Sequence, residues 1–286
     1  MTPAPLPAEA APLRVALVQM RSGRDVARNT EAAETLVREA AGAGARYVLT
    51  PEVTTLMELD RERLFAAVVP EDAATELVRF RALAAELGIW LHIGSMAVRV
   101  SDSHLANRSL LIRPDGTVAA RYDKIHMFDV ALANGETYSE SANYAPGREA
   151  VVATTPWGGL GLTICYDLRF PYLFRALAHA GARMIAVPAA FTRPTGEAHW
   201  HTLLRARAIE TQCFVFAAAQ GGMHEHGRQT YGHSLVVSPW GEIIAEGGTE
   251  PAVIVADLDL AEVDRVRDRV PSLRHDRPFD VKVDGQ

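Results

Sequence analysis

Three side chains far apart in the sequence carry groups that could together attack a carbonyl carbon: the thiol of Cys165, the carboxylate of Glu52 and the ammonium of Lys124. A carboxylate can take the thiol proton, and a fixed cation steadies both the thiolate and a tetrahedral oxyanion. Each of the three follows an apolar, β-rich run. Residues 46–50 lead through Pro51 to Glu52, residues 117–122 lead through Asp123 to Lys124, and residues 160–164 run directly into Cys165. A helix is predicted a few residues beyond Cys165, with Pro171 in its first turn. Such a strand-to-helix elbow exposes a nucleophile above the sheet edge, and the helix N-terminus and nearby cations favour thiolate over thiol. Taken singly, a strand-end Glu or Lys is most often a solvated charge. The combination is what points to chemistry.

The second cysteine reads differently. Cys213 leads into Phe214-Val215-Phe216, a fully apolar strand, and is expected as a small buried hydrophobe. Two H-x-H pairs, His199-Trp200-His201 and His224-Glu225-His226, have spacings that can ligate zinc or iron. Neither has a further ligand at helical i, i+4 spacing, so both are expected as surface or capping histidines. No metal and no cofactor are predicted.

The elements that would position these groups alternate between crossovers and hairpins. Strands are predicted over residues 14–20, 46–50, 89–98, 109–113, 117–122, 150–154, 160–164, 184–188, 214–219, 234–238, 242–245 and 251–258. Helices are predicted over residues 29–43, 60–67, 71–87, 171–180 and 199–211, with Asn29 near the first N-cap. Pro114-Asp115-Gly116 and Pro239-Trp240-Gly241 mark hairpin turns. This mixture predicts an α/β fold with large mixed sheets under helices. Residues 13–280 are expected as one domain after a loose leader over residues 1–12.

Composition limits the partners. The 286 residues are 48% hydrophobic and 22% charged, which suits a globular protein with a sizeable core. A net charge of -6 and no basic run argue against nucleic acid. The N-terminus lacks the cationic and apolar regions of a signal peptide, and no stretch reaches a membrane span. Two cysteines suit a reducing cytoplasm.

Pro51-Glu52, the run from Tyr122 to Asp129 (YDKIHMFD) and the run from Gly159 to Pro171 (GLGLTICYDLRFP) resemble the three signatures of the nitrilase superfamily, in the same order. The resemblance extends from about Arg14 to Phe279. It implies an αββα four-layer sandwich, mixed sheets inside and helices outside, assembled as a homodimer or higher homo-oligomer. It implies a cysteine amidase acting on a small-molecule amide through a Cys-Glu-Lys triad, and Glu140 matches the second glutamate of the Nit-type branch. Glu52 is then the base, while Lys124 and the N–H of Tyr166 form the oxyanion site. The similar amidases act on small amides bearing carboxylates, yet this chain is net negative, so a local cation must select the substrate. Arg169 is the first candidate and Arg193 the second, with Thr192 and Met127 in the same substrate-binding set. Residues 196–200, 204–213 and 231–234 look closer to amidases of deaminated glutathione than to ω-amidases of α-ketoglutaramate. The latter, with nitrile or N-carbamoyl hydrolysis, remain the alternatives. Tyr172, where many relatives carry Glu, is a departure that bears on substrate contacts.

Overall fold

The computed structural model describes residues 12–132, 135–225 and 227–283. The expected leader therefore lies almost wholly outside the described residues. Two six-stranded mixed sheets dominate. The first contains β1 (Leu13–Gln19), β2 (Tyr47–Leu49), β3 (Trp90–Arg99), β4 (Leu105–Ile112), β5 (Val118–Asp123) and β16 (Ala252–Leu258), in the order β16-β1-β2-β3-β4-β5. The second contains β8 (Val151–Thr155), β9 (Gly158–Leu162), β10 (Ala182–Ala186), β11 (Phe214–Ala217), β14 (Leu235–Val237) and β15 (Ile243–Glu246), in the order β15-β14-β11-β10-β9-β8. Two small hairpins, β6 (Asp129–Ala131) with β7 (Thr137–Ser139) and β12 (Gly221–Met223) with β13 (Gln229–Tyr231), stand outside both sheets.

Each sheet has a parallel centre, β1-β2-β3 or β9-β10-β11, flanked by antiparallel strands. Parallel neighbours need crossovers, and the helices supply them: α1 (Val26–Gly42), α2 (Arg61–Ala67) and α3 (Thr75–Leu87) in the first half, α4 (Pro171–His179) and α5 (Arg193–Thr211) in the second. A last helix, α6 (Ala261–Arg269), follows β16.

Strand alternation decides what each face meets. Leu13, Val15 and Leu17 of β1 pack with Leu160, Phe214 and Phe216 of the opposite sheet, while Ala16 and Val18 turn outward to the layer holding α1 and α3. The result is the expected αββα sandwich. Tyr47 and Phe216 meet across the middle with ring centroids 5.7 Å apart.

The local differences have physical causes. α1 begins at Val26 because Asp25, not Asn29, accepts the N-terminal N–H of Arg28; Asn29 instead ties Gly23 to Thr55 through its buried amide. The helix predicted over residues 71–87 is a 3-10 turn at Glu71–Ala73 followed by α3. α5 starts at Arg193, six residues earlier than predicted, with Pro194 in its first turn. β4 begins at Leu105 rather than residue 109, and α6 and both small hairpins were not predicted.

Candidate active site

Three loops at strand ends converge. Beyond β2, the chain turns through Pro51 and Glu52, and this turn lies against β3, where Gly94 donates its N–H to Thr50 Oγ1 at 3.0 Å. A Cβ at position 94 would collide with the carbonyls of Thr50 and Pro51, so only glycine allows this approach. Lys124 directly follows β5 and is fixed by backbone bonds from its N–H to Asn107 O (3.0 Å) and from Gly147 N–H to its own carbonyl (2.8 Å). Cys165 sits three residues past β9, with a left-handed φ of 49° and its N–H on Pro188 O at 2.9 Å. The chain then makes a 3-10 turn over Cys165–Arg169 and enters α4 at Pro171, which is the elbow geometry expected.

Asp167 locks this elbow to the lysine loop. Its fully buried carboxylate accepts from Ile164 N–H (2.8 Å), Tyr122 O–H (2.7 Å) and His126 N–H (3.1 Å), and lies 2.6 Å from His126 Nδ1. Sequence reasoning passed over Asp167, because its role appears only when residues 122–126 return beside it.

Lys124 donates to Glu52 Oε1 at 2.8 Å and to both oxygens of Glu140, at 2.8 and 3.0 Å. The remaining carboxylate positions are also taken. Asn107 Nδ2 reaches Glu52 Oε1 (3.0 Å) and Glu140 Oε1 (3.1 Å), Ala190 N–H reaches Glu52 Oε2 (2.9 Å), and Phe128 N–H reaches Glu140 Oε2 (2.7 Å). The Cys165 thiol faces the Glu52 carboxylate. All but Glu140 are essentially buried.

Burial by itself would raise Glu52, but the charge and hydrogen bond of Lys124, the facing thiol and the charge of Arg228 together hold it below its ordinary value. Burial opposes the charge on Lys124 too, yet Glu140 and Glu52 keep its pKa well above normal. For Cys165, burial and the facing Glu52 charge push the thiol far up, and the opposing pull of Lys124 is the smaller effect. The arrangement therefore favours a thiol beside a carboxylate at rest, as a general-base role for Glu52 requires.

A cleft opens above these groups, lined on different sides by Phe128, Tyr138, Tyr166, Arg169, Thr192 and Arg228. Arg169 lies over the Tyr166 and Phe191 rings, and its guanidinium is 3.4 Å from His199 Nδ1. Arg228 lies over the Tyr138 ring and donates to Ala190 O at 2.6 Å. Two expected substrate contacts are absent from the lining. Arg193 is exposed and paired with Glu197 at 2.8 Å, and Met127 gives way to its neighbour Phe128. Tyr172 is exposed outside the cleft and bonded to His126.

Among the described residues, neither histidine pair brings its two rings together on one site. Both ring nitrogens of His224 are engaged, with Ser22 O at 2.9 Å and Thr230 Oγ1 at 2.7 Å, and His226 lies outside the described residues. His199 faces Arg169, while His201 belongs to a separate cluster on the far side of α5.

The carbon-nitrogen hydrolase model matches residues 14–268. A "Deaminated glutathione amidase" of Yersinia enterocolitica is 41% identical over 92% of both chains. Among solved structures, the Caenorhabditis elegans NitFhit protein superposes with a TM-score of 0.86 at 37% identity, covering 93% of this chain and 65% of that fusion protein. Saccharomyces cerevisiae Nit3, described as a member of branch 10 of the nitrilase superfamily, gives 0.82 at 30% identity, covering 92% and 95%. A chain that matches this model over nearly its whole length, and shares its fold with such relatives, belongs to the carbon-nitrogen hydrolases of the nitrilase superfamily.

Proposed function

We propose that this protein is an amidase that cleaves the side-chain-type amide of deaminated glutathione through a thioester on Cys165. The observation that carries the reading is the buried Glu52–Lys124–Glu140 cluster against one thiol, with two arginines lining the cleft above it.

Glu52 takes the proton from Sγ as the sulfur attacks the amide carbon, so no free thiolate accumulates. Lys124 Nζ and the N–H of Tyr166 hold the resulting oxyanion. Glu140, on the other side of Lys124 from Glu52, keeps Lys124 protonated and fixes its direction. As the C–N bond breaks, Glu52 returns the proton to the departing amine. A water then replaces the amine, gives its proton to Glu52 and attacks the thioester, which releases the acid and restores the thiol.

Deaminated glutathione carries a carboxylate on its keto-acid side and another at the end of its leaving dipeptide. Arg169, and Arg228 which the sequence reading missed, are the cations available to the two ends. The name borne by the relatives supports this substrate over α-ketoglutaramate. We place the enzyme in the cytoplasm as a homodimer.

The test compares turnover of deaminated glutathione, α-ketoglutaramate, a nitrile and an N-carbamoyl acid. Deaminated glutathione is expected to have the highest kcat/KM, and Arg169→Ala is expected to erase the preference for carboxylate-bearing amides. A clear preference for α-ketoglutaramate, or an unchanged preference in Arg169→Ala, contradicts the assignment.

A further inference from the structure

A second constellation lies away from the cleft. His201 on α5, His233 just before β14 and Glu246 at the end of β15 bring one ligand atom each within 4.8 Å of one another. His201 Nε2 is 2.9 Å, and His233 Nδ1 2.8 Å, from the same Glu246 Oε1. None of the three lines the candidate active site. From this geometry we propose that His201, His233 and Glu246 form a binding site for a divalent cation of the zinc class.

The donor set selects the ion. Two imidazoles with one carboxylate suit zinc and its borderline neighbours, whereas magnesium and calcium take oxygen ligands. The spacing suits it as well. Tetrahedral bonds of about 2.0–2.1 Å set ligand atoms roughly 3.3 Å apart, so the nitrogens must retreat from Glu246 by about 0.4–0.5 Å and, lying within 4.8 Å of each other, close on one another by up to about 1.5 Å, which side-chain rotation allows. Each imidazole then turns a lone pair toward the ion and carries its proton on the other ring nitrogen. Three protein ligands leave the fourth position for water.

The ligands are held before any ion arrives. His233 is one of four non-glycine residues with positive φ among the described residues, at 53°, and two of the others, Val53 and Cys165, border the active site. Its N–H is bonded to Gly248 O at 2.7 Å, and its carbonyl accepts from Trp200 Nε1 at 2.8 Å. Its ring stacks on Tyr231 with centroids 4.3 Å apart, and the His201 ring meets the same tyrosine edge-on. The side chains are 31%, 28% and 33% exposed in the order His201, His233, Glu246, which is open enough for an ion to enter and closed enough to limit rearrangement. A bound ion would clasp α5, whose first turn meets the cleft through Thr195, to the β14–β15 hairpin.

The experiment uses the untagged full-length protein with Cys165→Ala, which removes the active-site thiol as a competing ligand. Equilibrium dialysis against zinc is expected to give one bound ion per chain. His201→Gln and His233→Gln, each added to that background, are expected to weaken binding by at least about 100-fold. Melting without zinc checks that both variants stay folded, and zinc should raise Tm only where His201 and His233 are both present. Failure of the Cys165→Ala protein to bind zinc overturns the proposal. So does stoichiometric binding that survives both substitutions.

Discussion

Cys165 rests as a thiol because the nearest strong charge is negative: Glu52 faces it, and Lys124 is already shared between two carboxylates. The reactive form is thus thiol, ionised Glu52 and protonated Lys124. Glu52 is held below its ordinary value of 4.5, so this form is lost only as pH falls through that lowered pKa; Cys165 is raised above 9.0, so the other limb lies beyond that. With a substrate that does not titrate in the neutral range, kcat/KM is expected to stay level through neutral pH while the protein remains folded. A limb near pH 7 contradicts the assignment. The two cysteines should also separate. Cys165→Ala is expected to abolish turnover in a folded protein, and Cys213→Ala, buried with its thiol on Ala182 O, should keep most of it. Equal losses, measured as product released per chain, would remove the distinction.

At the scale of elements, the site depends on how closely loops approach strands. Gly94 is the clearest case, since a methyl group there must displace the turn that carries Glu52. Gly94→Ala is expected to lower kcat by about 100-fold with far less effect on KM, because a base misplaced by an ångström loses most of its advantage. An unchanged kcat would mean the turn is not what positions Glu52. Glu52 and Lys124 were legible because each follows an apolar run with a charge no core would choose, and Cys165 because it stands at a strand-to-helix elbow in their company. Other members were not. Asn107 holds both glutamates, yet it is one of three adjacent polar residues in β4, and that strand was read as starting at residue 109, two positions past it. Arg228 lies between two short strands that paired only in three dimensions. Arg193 was read as lying ahead of the helix, but α5 starts there, and because each helical residue turns about 100° from the last, Thr192 and Thr195 face the cleft and Arg193 does not. Met127 and Phe128 show the same one-residue error in more extended chain, where neighbours point to opposite sides.

Across the whole molecule, the three chemical groups stay together only while the sheets stay packed, since Glu52 and Lys124 come from one sheet and Cys165 from the other. Phe216 lies at that interface, 1% exposed against Tyr47. Phe216→Ala is expected to cost about 3–5 kcal/mol in urea unfolding, and a loss below about 1 kcal/mol would show that the inner layer tolerates a cavity. Large mixed sheets under helices were legible from strands that alternate crossovers with hairpins and the four-layer sandwich from the family resemblance, but the pairing of β16 with β1 joins chain ends that no local pattern connects. The central claim is that this packing presents Cys165 as the acyl acceptor. Rapid acid quench during turnover of deaminated glutathione, followed by peptide mass spectrometry, tests it directly. The account predicts a hydroxylamine-labile acyl group on the peptide containing Cys165, absent in Cys165→Ala. Full turnover by Cys165→Ala, or an acyl group found on any other residue, would contradict it.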